Sequence, residues 1–359
     1  MRISLLNFIC CPYCSGELTS LISPQYYPFQ ESAKTTSKKT SVGNSTEIKE
    51  GLLICEECSH WFPIRDFIPE LLPDHLRDWD FDLIFLRAQK SKIRRKIFKR
   101  LLRKSKIFQR KAKKIEDSGL HYKKSEISIE EKISDPDFFG PGYSSPFNPS
   151  NTEFSIQLIR RFGNVLPLLE LKQGDVVLDV GPGYAWTTEW LMKMGIRSIG
   201  VDICRTYLGI GLRRMNGEFP YLVIGDVEYL PIKNECLNAV LCFDAFHHIP
   251  NRRKAAQHFF RTLKENGNIV LAEPGADHEK AEVSKEVMKK YGILEKGMSI
   301  NDVDNYCQGL QTGSTEQHFI IKVKNDEQNK FISPEFIQSH VYTDCNCYVI
   351  KKRLSQVSR

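Results

Sequence analysis

Acidic residues end five short apolar runs in the second half of this chain of 359 residues. Runs of this kind, rich in Val, Ile and Leu, are typical of buried parallel strands, whose carboxyl ends meet at one edge of a sheet. That edge would carry a row of hydrogen-bond acceptors and would suit a ligand that donates hydrogen bonds. The five acids are Asp179, Asp202, Asp226, Asp244 and Glu273.

The first run leads into a glycine turn, Gly181-Pro182-Gly183, where backbone N–H groups can approach a cofactor closely. Asp202 lies about 20 residues beyond this turn, where an acid can accept both hydroxyls of a ribose. Asp226 and the apolar Val227 suit the edge and the face of an adenine. No Gly-Lys-Ser/Thr follows the turn, which excludes a P-loop for a triphosphate. The pattern therefore predicts an adenosine-containing ligand.

Residues from about 174 to 275 resemble class I S-adenosylmethionine-dependent methyltransferases of the ubiquinone-biosynthesis-like type (methyltransferase type 11). The resemblance rests on five segments in family order: 177–183 (VLDVGPG), 200–202 (GVD), 225–231 (GDVEYLP), 242–249 (CFDAFHHI) and 263–268 (LKENGN). Pro182 stands where the family often has Cys or Ser, and Ala185 where a third glycine is common. A nicotinamide dehydrogenase would also bind a ribose through Asp202, but segments 225–226 and 246–248 fit it less well.

The resemblance implies a cofactor site with Asp179, Gly181 and Gly183 at the methionine end, Asp202 at the ribose and Asp226 at the adenine. The full predicted set is Asp179, Gly181, Pro182, Gly183, Tyr184, Asp202, Ile203, Asp226, Val227 and Phe243.

His247 and His248 follow the fourth run and are the predicted catalytic residues. Methyl transfer to a hydroxyl requires alignment and removal of a proton, and the unperturbed pKa of a histidine, about 6.5, suits a general base at neutral pH. The alternative is that these histidines only close the pocket or cap the next helix. His278 and Glu279 are the next candidates. No Asn/Asp-Pro-Pro-Tyr follows the fourth run and no Pro-Cys occurs, which argues against amino-methylating and pyrimidine C5-methylating sites.

Four cysteines form two C-x2-C pairs, Cys11 with Cys14 and Cys55 with Cys58. Such pairs bind zinc tetrahedrally, although the 40 residues between them exceed the usual spacing of about 15–20. The excess predicts a disordered insertion near residues 30–50, rich in Ser, Thr and Lys. Cys10 is interpreted as a surplus cysteine. The other six are expected to be free thiols in a reducing compartment: Cys204, Cys236, Cys242, Cys307, Cys345 and Cys347.

Residues 61–73 (WFPIRDFIPELLP) resemble the end of the small zinc-ribbon activator subunits of methyltransferases. Those subunits dock on a catalytic partner, so the resemblance implies that such a module is fused here to the catalytic domain. The metal is expected to stabilise the fold of a domain that is too small to be stable through its hydrophobic core alone. Whether the surface of the module also contacts the substrate stays open.

A basic segment follows. Residues 87–114 contain fifteen Lys and Arg and no Asp or Glu, so the rest of this chain, whose net charge is +7, carries −8. Apolar residues recur at helical spacings, and a basic amphipathic helix is typical of binding to an anionic partner such as a membrane surface or RNA. No DNA partner is expected. The alternative is a linker whose apolar stripe packs on the catalytic domain.

These observations predict an α/β protein with a doubly wound, Rossmann-like, seven-stranded sheet, preceded by a small zinc ribbon and a basic helix. The predicted domains are a zinc ribbon (1–75), a basic helical linker (76–130) and a class I methyltransferase domain (131–359). No apolar run reaches 18 residues, and the N-terminus lacks the apolar core of a signal peptide. We expect a cytoplasmic protein. Peripheral attachment to a membrane surface is the alternative.

Three functions are compatible with the sequence. The first is methylation of a small-molecule, sugar or lipid-linked acceptor, by O-methylation with a histidine base, using S-adenosylmethionine and a structural Zn²⁺. The second is RNA methylation, since rRNA guanine-N1 methyltransferases also place a zinc knuckle before such a domain. The third is a non-catalytic cofactor-binding protein that acts through its ribbon and its basic helix.

Overall fold

A computed structural model describes residues 1–21, 47–133, 140–216, 220–322 and 342–353, with the backbone alone at 141, 319–322 and 342–345. Two sheets organise these residues. The N-terminal sheet is antiparallel in the order β1-β2-β3-β4, and the larger sheet has the order β10-β11-β9-β8-β5-β6-β7. The strands are β1 Leu18–Ser20, β2 Gly51–Cys55, β3 Trp61–Arg65, β4 Ile68–Pro69, β5 Val176–Val180, β6 Arg197–Asp202, β7 Tyr221–Ile224, β8 Leu237–Phe243, β9 Leu263–Glu273, β10 Thr312–Lys322 and β11 Tyr342–Lys352.

Helices connect and cover these strands. The α-helices are α1 Trp79–Ala88, α2 Arg95–Ala112, α3 Leu120–Ile127, α4 Ile129–Lys132, α5 Thr152–Val165, α6 Trp186–Lys193, α7 Arg205–Arg214, α8 Arg252–Thr262, α9 Glu282–Tyr291 and α10 Ile300–Cys307. Short 3-10 helices span Ile3–Asn7, Lys90–Lys92, Gly140–Tyr143, Leu166–Leu169, Val227–Tyr229, Phe246–His248 and His278–Lys280. In the described part of the chain, no helix is both long and apolar enough to cross a membrane.

The larger sheet confirms the predicted doubly wound, seven-stranded fold. β5 pairs in parallel with both β6 and β8, and β9 pairs in parallel with β8. β5 is buried along its whole length, as expected for a parallel strand covered on both faces. The antiparallel pair β10–β11 completes the sheet beside β9.

The glycine turn after β5 requires its glycines. Gly181 has φ +60°, and a Cβ atom built there would lie 2.6 Å from the Cβ of Ala245. Gly183 has φ +53°, and a Cβ there would enter open space. Because L side chains rarely adopt such angles, both positions favour glycine, and the open space beside Gly183 leaves its backbone accessible from the pocket.

The N-terminal sheet joins the larger sheet at the β7 edge. The Leu71 N–H donates to the Ile224 carbonyl (2.7 Å). Beyond β7, the Cys10 N–H donates to the Pro231 carbonyl (3.0 Å), and the Lys233 N–H donates to the Phe8 carbonyl (2.8 Å). One apolar core runs through this junction, from Ile9, Phe62 and Ile64 to Val201 and Val223. The β7 edge, which would otherwise present unpaired backbone groups, is thus covered within the same chain.

The basic segment forms a 3-10 turn and then α2. The apolar face of α2 packs on the N-terminal sheet, where Phe98 and Leu101 contact the cluster around Leu52 and Trp61, and the Trp61 Nε1–H donates to the Ser105 hydroxyl (2.9 Å). As in the linker alternative, the apolar stripe packs within the chain, but it packs on the N-terminal sheet and not on the catalytic domain, because β2 and β3 present the apolar side chains that α2 covers.

The domain boundaries at residues 75 and 130 remain predictions. The predicted insertion near residues 30–50 lies largely outside the described residues, which resume at Glu47. Five of the six cysteines expected to be free are described with their side chains, and none of these five forms a disulfide: Cys204, Cys236, Cys242, Cys307 and Cys347. The side chain of Cys345 lies outside the described part.

Candidate active site

A cavity of about 330 Å³ opens at the carboxyl ends of β5, β6, β7 and β8, where ligands bind in open α/β sheets. Its walls include six of the predicted cofactor residues and one predicted catalytic residue: Gly181, Gly183, Asp202, Ile203, Asp226, Val227 and His248. Four predicted cofactor residues and the other predicted histidine do not line it: Asp179, Pro182, Tyr184, Phe243 and His247. The cavity is large enough for a small-molecule ligand, for which pockets of about 300–1,000 Å³ are usual.

Asp202 is held by the backbone around it. Its Oδ2 accepts from the Gly183 N–H (2.9 Å) and its Oδ1 from the Cys204 N–H (2.8 Å). Burial raises the pKa of Asp202 to about 6, against the lowering effect of these N–H donors. The carboxylate thus fixes the glycine turn to β6 and faces the cavity at the same time.

Asp179 lies beneath the turn. The hydroxyls of Thr187 and Thr188 both donate to its Oδ2 at 2.6 Å, while its buried Oδ1 has no hydrogen-bond partner. Burial raises the pKa of Asp179 to about 6. An unpartnered buried oxygen is costly, so a ligand group or water that donates to it would stabilise this end of the site.

Three predicted residues support the pocket from outside. Pro182 packs toward β6, where a Cβ atom on Gly200 would lie 3.2 Å from its Cγ. Phe243 is buried against the rings of Phe162 and Trp186. Tyr184 contacts the ring of Tyr207, with 5.0 Å between ring centres, and Tyr207 lines the cavity. Their predicted contact with the cofactor remains a prediction.

Asp226 is paired with a residue that sequence reasoning missed. Lys123, from α3, places its Nζ 3.0 Å from Asp226, 2.7 Å from Glu228 and 2.9 Å from Asp117. Burial works against the charged form of Lys123, but the carboxylates, Asp226 first among them, raise its pKa. One buried ammonium therefore balances the acidic cluster at the predicted adenine end.

Glu126, one helical turn after Lys123, also faces the cavity. Burial and the nearby carboxylates of Asp202 and Glu295 raise the pKa of Glu126 to about 8. α3 thus brings two ionisable side chains onto the pocket from a segment without a recognisable motif. No pattern in the sequence indicated a buried role for either residue.

The two predicted catalytic histidines lie in different surroundings. His248 lines the cavity and its Nδ1 lies 2.6 Å from the Leu294 carbonyl oxygen. Since a carbonyl only accepts, Nδ1 carries the proton and Nε2 keeps a free lone pair. His247 is buried, with its Nδ1 2.7 Å from a carboxylate oxygen of Glu273. Burial alone would lower the pKa of His247, but this hydrogen bond and the nearby acids raise it.

The four predicted zinc ligands come together at one point. The sulfur atoms of Cys11, Cys14, Cys55 and Cys58 all lie within 4.8 Å of one another, with Cys11–Cys58 at 3.5 Å and Cys14–Cys55 at 3.4 Å. Zn–S bonds of about 2.3 Å place the sulfurs of a tetrahedral site about 3.8 Å apart, so the cluster is compatible with a structural zinc. Cys10 lies outside this cluster.

His60 supports the cysteine cluster from behind. Its Nδ1 lies 3.1 Å from the Cys58 sulfur and its Nε2 lies 3.1 Å from an Asp74 oxygen. A hydrogen bond from Cys11 and another from His60 lower the pKa of the Cys58 thiol to about 3. The ring of His60 stacks on Phe108 of α2 at 3.8 Å between ring centres, which links the cluster to the basic helix.

Comparison with known families identifies both parts. Residues 178–271 match the family model described as a methyltransferase domain, and residues 2–66 match the model of Trm112p-like proteins. The chain therefore contains a methyltransferase domain and a Trm112p-like domain, and the predicted resemblance, with S-adenosylmethionine as the methyl donor that it implies, is confirmed at this level.

Individual relatives match less than half of this chain. The methyltransferase GfsG of Streptomyces halstedii is 24% identical over 143 residues, 38% of this chain and 51% of the relative. The demethylmenaquinone methyltransferase of Corynebacterium efficiens is 30% identical over 105 residues, 29% of this chain and 44% of the relative. The chain spans about half or less of the length of the curated relatives that it matches.

Solved structures resemble the chain in outline. A complex of the Haloferax volcanii Trm112 methyltransferase activator gives a TM-score of 0.47 at 17% identity, covering 62% of this chain and 100% of that chain. Phosphoethanolamine N-methyltransferase 2 of Haemonchus contortus gives 0.43 at 16% identity, covering 55% of this chain and 53% of that chain.

Proposed function

We propose that this chain, which joins a Trm112p-like domain to a methyltransferase domain, is an S-adenosylmethionine-dependent methyltransferase that methylates an oxygen of a small-molecule, sugar or lipid-linked acceptor. The observation that carries this proposal is the cavity at the strand ends, lined by Gly183, Asp202 and Asp226 beside His248. Its acceptors suit the ribose and the adenine of the cofactor.

The residues present fit the cofactor. The open space next to Gly183 would let the methionine part of the cofactor approach the backbone. Asp202, which lines the cavity, would accept from the ribose hydroxyls. Lys123 holds Asp226 and Glu228 in place for the adenine edge.

When bound, the cofactor supplies a methyl group on a sulfonium sulfur. The chain contributes alignment and a base: His248 lines the cavity, and its Nε2 keeps a free lone pair because its Nδ1–H donates to the Leu294 carbonyl. A hydroxyl of the acceptor placed between this nitrogen and the methyl group would lose its proton to His248 as its oxygen attacks. Alignment of the two reactants supplies the rest of the catalysis.

The basic face of α2 favours an acceptor that carries an anionic group or that lies at an anionic surface. Lys96, Lys99, Arg100 and Arg103 line a groove on this helix and are exposed. Within the described residues, no ion pair involves a Lys or Arg of the segment 87–114. Exposed charges of one sign repel each other, so these side chains lack compensating charges among the residues that the structure describes. A phosphate-bearing carrier or an anionic membrane surface would neutralise them.

RNA is the second candidate acceptor, favoured by the same unpaired basic face, since phosphates neutralised by Lys and Arg dominate RNA affinity. The two candidates differ in what receives the methyl group. We would incubate the chain with radiolabelled S-adenosylmethionine and a host extract, then separate RNA, lipid, polysaccharide and small-molecule fractions. Label in lipid, glycan or small molecules supports the first function, and label in RNA the second.

Two variants serve as controls for this experiment. Asp202→Ala should weaken cofactor affinity at least tenfold in calorimetry, because charge-assisted hydrogen bonds contribute about 1.5–3 kcal/mol each. A variant with Lys96, Lys99, Arg100 and Arg103 changed to Gln keeps the apolar face of α2 and should lose salt-sensitive binding to anionic vesicles or RNA. Cofactor binding without transfer into any fraction would leave the third function, a non-catalytic binding protein.

A further inference from the structure

Two histidines and one glutamate converge beside the proposed acceptor pocket. Glu295 Oε2 lies 2.7 Å from His278 Nε2 and 3.6 Å from His247 Nε2, and the three groups offer ligand atoms within 4.8 Å of one another. His247 and Glu295 are buried, and His278 is a quarter exposed. The elements that bring them together are the segment after β8 and the two segments that flank α9, so they meet only in the folded chain.

The orientation of His247 is fixed from behind. Its Nδ1 lies 2.7 Å from Glu273, a fully buried carboxylate that also accepts the N–H groups of Ala245 and Phe246. With Nδ1 held by this carboxylate, Nε2 is directed toward Glu295. Metal-binding histidines almost always donate their other ring N–H to a carboxylate or a carbonyl in this way, which fixes the ring and the tautomer.

The charge balance also distinguishes this cluster from the other acidic cluster of the pocket. Asp117, Asp226 and Glu228 share the ammonium of Lys123, which supplies the cation that a metal would supply. Among the described residues, Glu295 is paired with histidines alone: His247, His248 and His278. A cation at the His/His/Glu cluster would therefore add charge where no Lys or Arg provides it.

We propose that His247, His278 and Glu295 form a binding site for a divalent transition-metal ion such as Zn²⁺. Two imidazoles and one carboxylate are a ligand set typical of catalytic metal sites, in which the remaining position stays open for water or substrate. The open position would face the cavity, because Glu295 and the neighbouring His248 line it. The site would take an acceptor that offers an oxygen ligand, a hydroxyl or a carboxylate.

This assignment deepens the proposed function and rests on it for the role of the metal. A hydroxyl bound to the ion would lose its proton to His248 Nε2 more readily, since a Lewis acid lowers the pKa of a bound hydroxyl. The oxygen would then form its bond to the methyl carbon as the bond from carbon to the sulfonium sulfur breaks. The electron pair of that bond stays on sulfur, and S-adenosylhomocysteine leaves.

The test is the zinc content of the whole chain after equilibrium dialysis against buffered free Zn²⁺, measured by mass spectrometry of the metal. We expect two zinc ions per chain, one at the cysteine cluster and one at the proposed site, and one per chain in His278→Ala. His121→Ala removes an exposed histidine of α3 and should keep two. Partial occupancy of the cysteine cluster would lower the zinc content of the wild type and of both variants equally. The diagnostic quantity is therefore the difference of one zinc ion between the wild type and His278→Ala.

Equal zinc content in the wild type and His278→Ala would overturn the proposal. If His278→Ala loses its cooperative melting transition, Glu295→Gln carries the test, because it removes the charge and keeps the volume of the side chain. Zinc content is measured without cofactor or acceptor, so it does not depend on the proposed function. A second zinc in a chain that does not bind S-adenosylmethionine would support the metal site and reject the methyltransferase function.

Discussion

We expect the carboxyl group of Asp202 to make cofactor binding sensitive to pH. Its pKa in the free chain is about 6, because burial outweighs the N–H donors of Gly183 and Cys204. Ribose hydroxyls donate to the ionised form, so bound cofactor favours ionisation and lowers this pKa. Affinity is then full above pH 6 and falls as pH decreases through 6, by up to about tenfold per pH unit.

Calorimetric titration of S-adenosylhomocysteine between pH 7.5 and 5.5 checks this prediction. In Asp202→Asn the affinity should be weaker at pH 7.5 and should change less over the same range, because the titrating group is gone. A wild-type affinity that stays constant down to pH 5.5 would contradict the role assigned to Asp202.

We expect the proposed adenine end of the pocket to depend on Lys123. Lys123→Met leaves three carboxylates, Asp117, Asp226 and Glu228, within a few ångströms of one another without a cation. Removing one partner of a buried ion pair typically costs about 3–5 kcal/mol. We expect a loss of this size in unfolding free energy by urea denaturation, together with weaker cofactor binding. The matched control is Lys124→Met, an exposed neighbour on α3, which should behave as the wild type.

How far the site was predictable differs from residue to residue. Asp202 and Asp226 were predictable, because an acid at the end of a parallel strand must lie at the ligand-binding edge. Lys123, Glu126 and Glu295 were not, since they reach the pocket from connecting segments whose path depends on tertiary packing. Asp179 shows the intermediate case: its position was predicted, but its burial under two threonine hydroxyls depends on the start of α6.

At the scale of elements, α2 has an apolar face and a basic face. The contribution of the apolar face to packing can be tested through the free energy of unfolding. Leu101 is fully buried between α2 and the N-terminal sheet. Leu101→Ala should lower the free energy of unfolding by about 2–5 kcal/mol, from lost apolar burial and the cavity left behind. Ile107→Ala, on the same helix but 41% exposed, should change it by less than about 0.5 kcal/mol. Equal effects in chemical denaturation would mean that α2 is not docked on this sheet.

Some of these elements could be predicted from the sequence more fully than others. The parallel strands β5, β6 and β8 were visible as apolar runs, because strands covered on both faces need apolar residues throughout. The amphipathic pattern of α2 was visible as well. Its packing partner was not, because periodicity identifies an apolar face without indicating what covers it.

At the scale of the whole molecule, the two sheets act as one unit. The segment after β4 covers the β7 edge through the backbone hydrogen bond from Leu71 to Ile224, Cys10 bonds to Pro231 beyond β7, and one apolar core crosses the junction. α2 and α3 then carry the chain from the N-terminal sheet to the cofactor pocket, where Lys123 and Glu126 form part of the wall. The order of β7, β6 and β5 in the sheet places the covered edge two strands from the glycine turn.

Loss of the cysteine-bound metal should therefore weaken the catalytic domain as well as the N-terminal one. Structural zinc supplies about 10–16 kcal/mol in zinc-finger peptides, as much as the whole net stability of a typical domain, about 5–15 kcal/mol. Cys14→Ser removes one ligand without touching the His/His/Glu cluster. We expect it to lower the melting temperature of the whole chain in calorimetry and to weaken S-adenosylhomocysteine binding.

The matched control is Cys10→Ser, which replaces a buried thiol outside the cysteine cluster and should keep its zinc and its affinity for S-adenosylhomocysteine. If Cys14→Ser instead melts in two steps, with the second step and the affinity unchanged, the catalytic sheet is stable without its covered edge. The shared core would then fix only the position of the Trm112p-like domain. A single lowered transition is the outcome expected from a core in which Ile9 and Val223 belong to one cluster, because unfolding the ribbon exposes apolar surface on both sides of the junction.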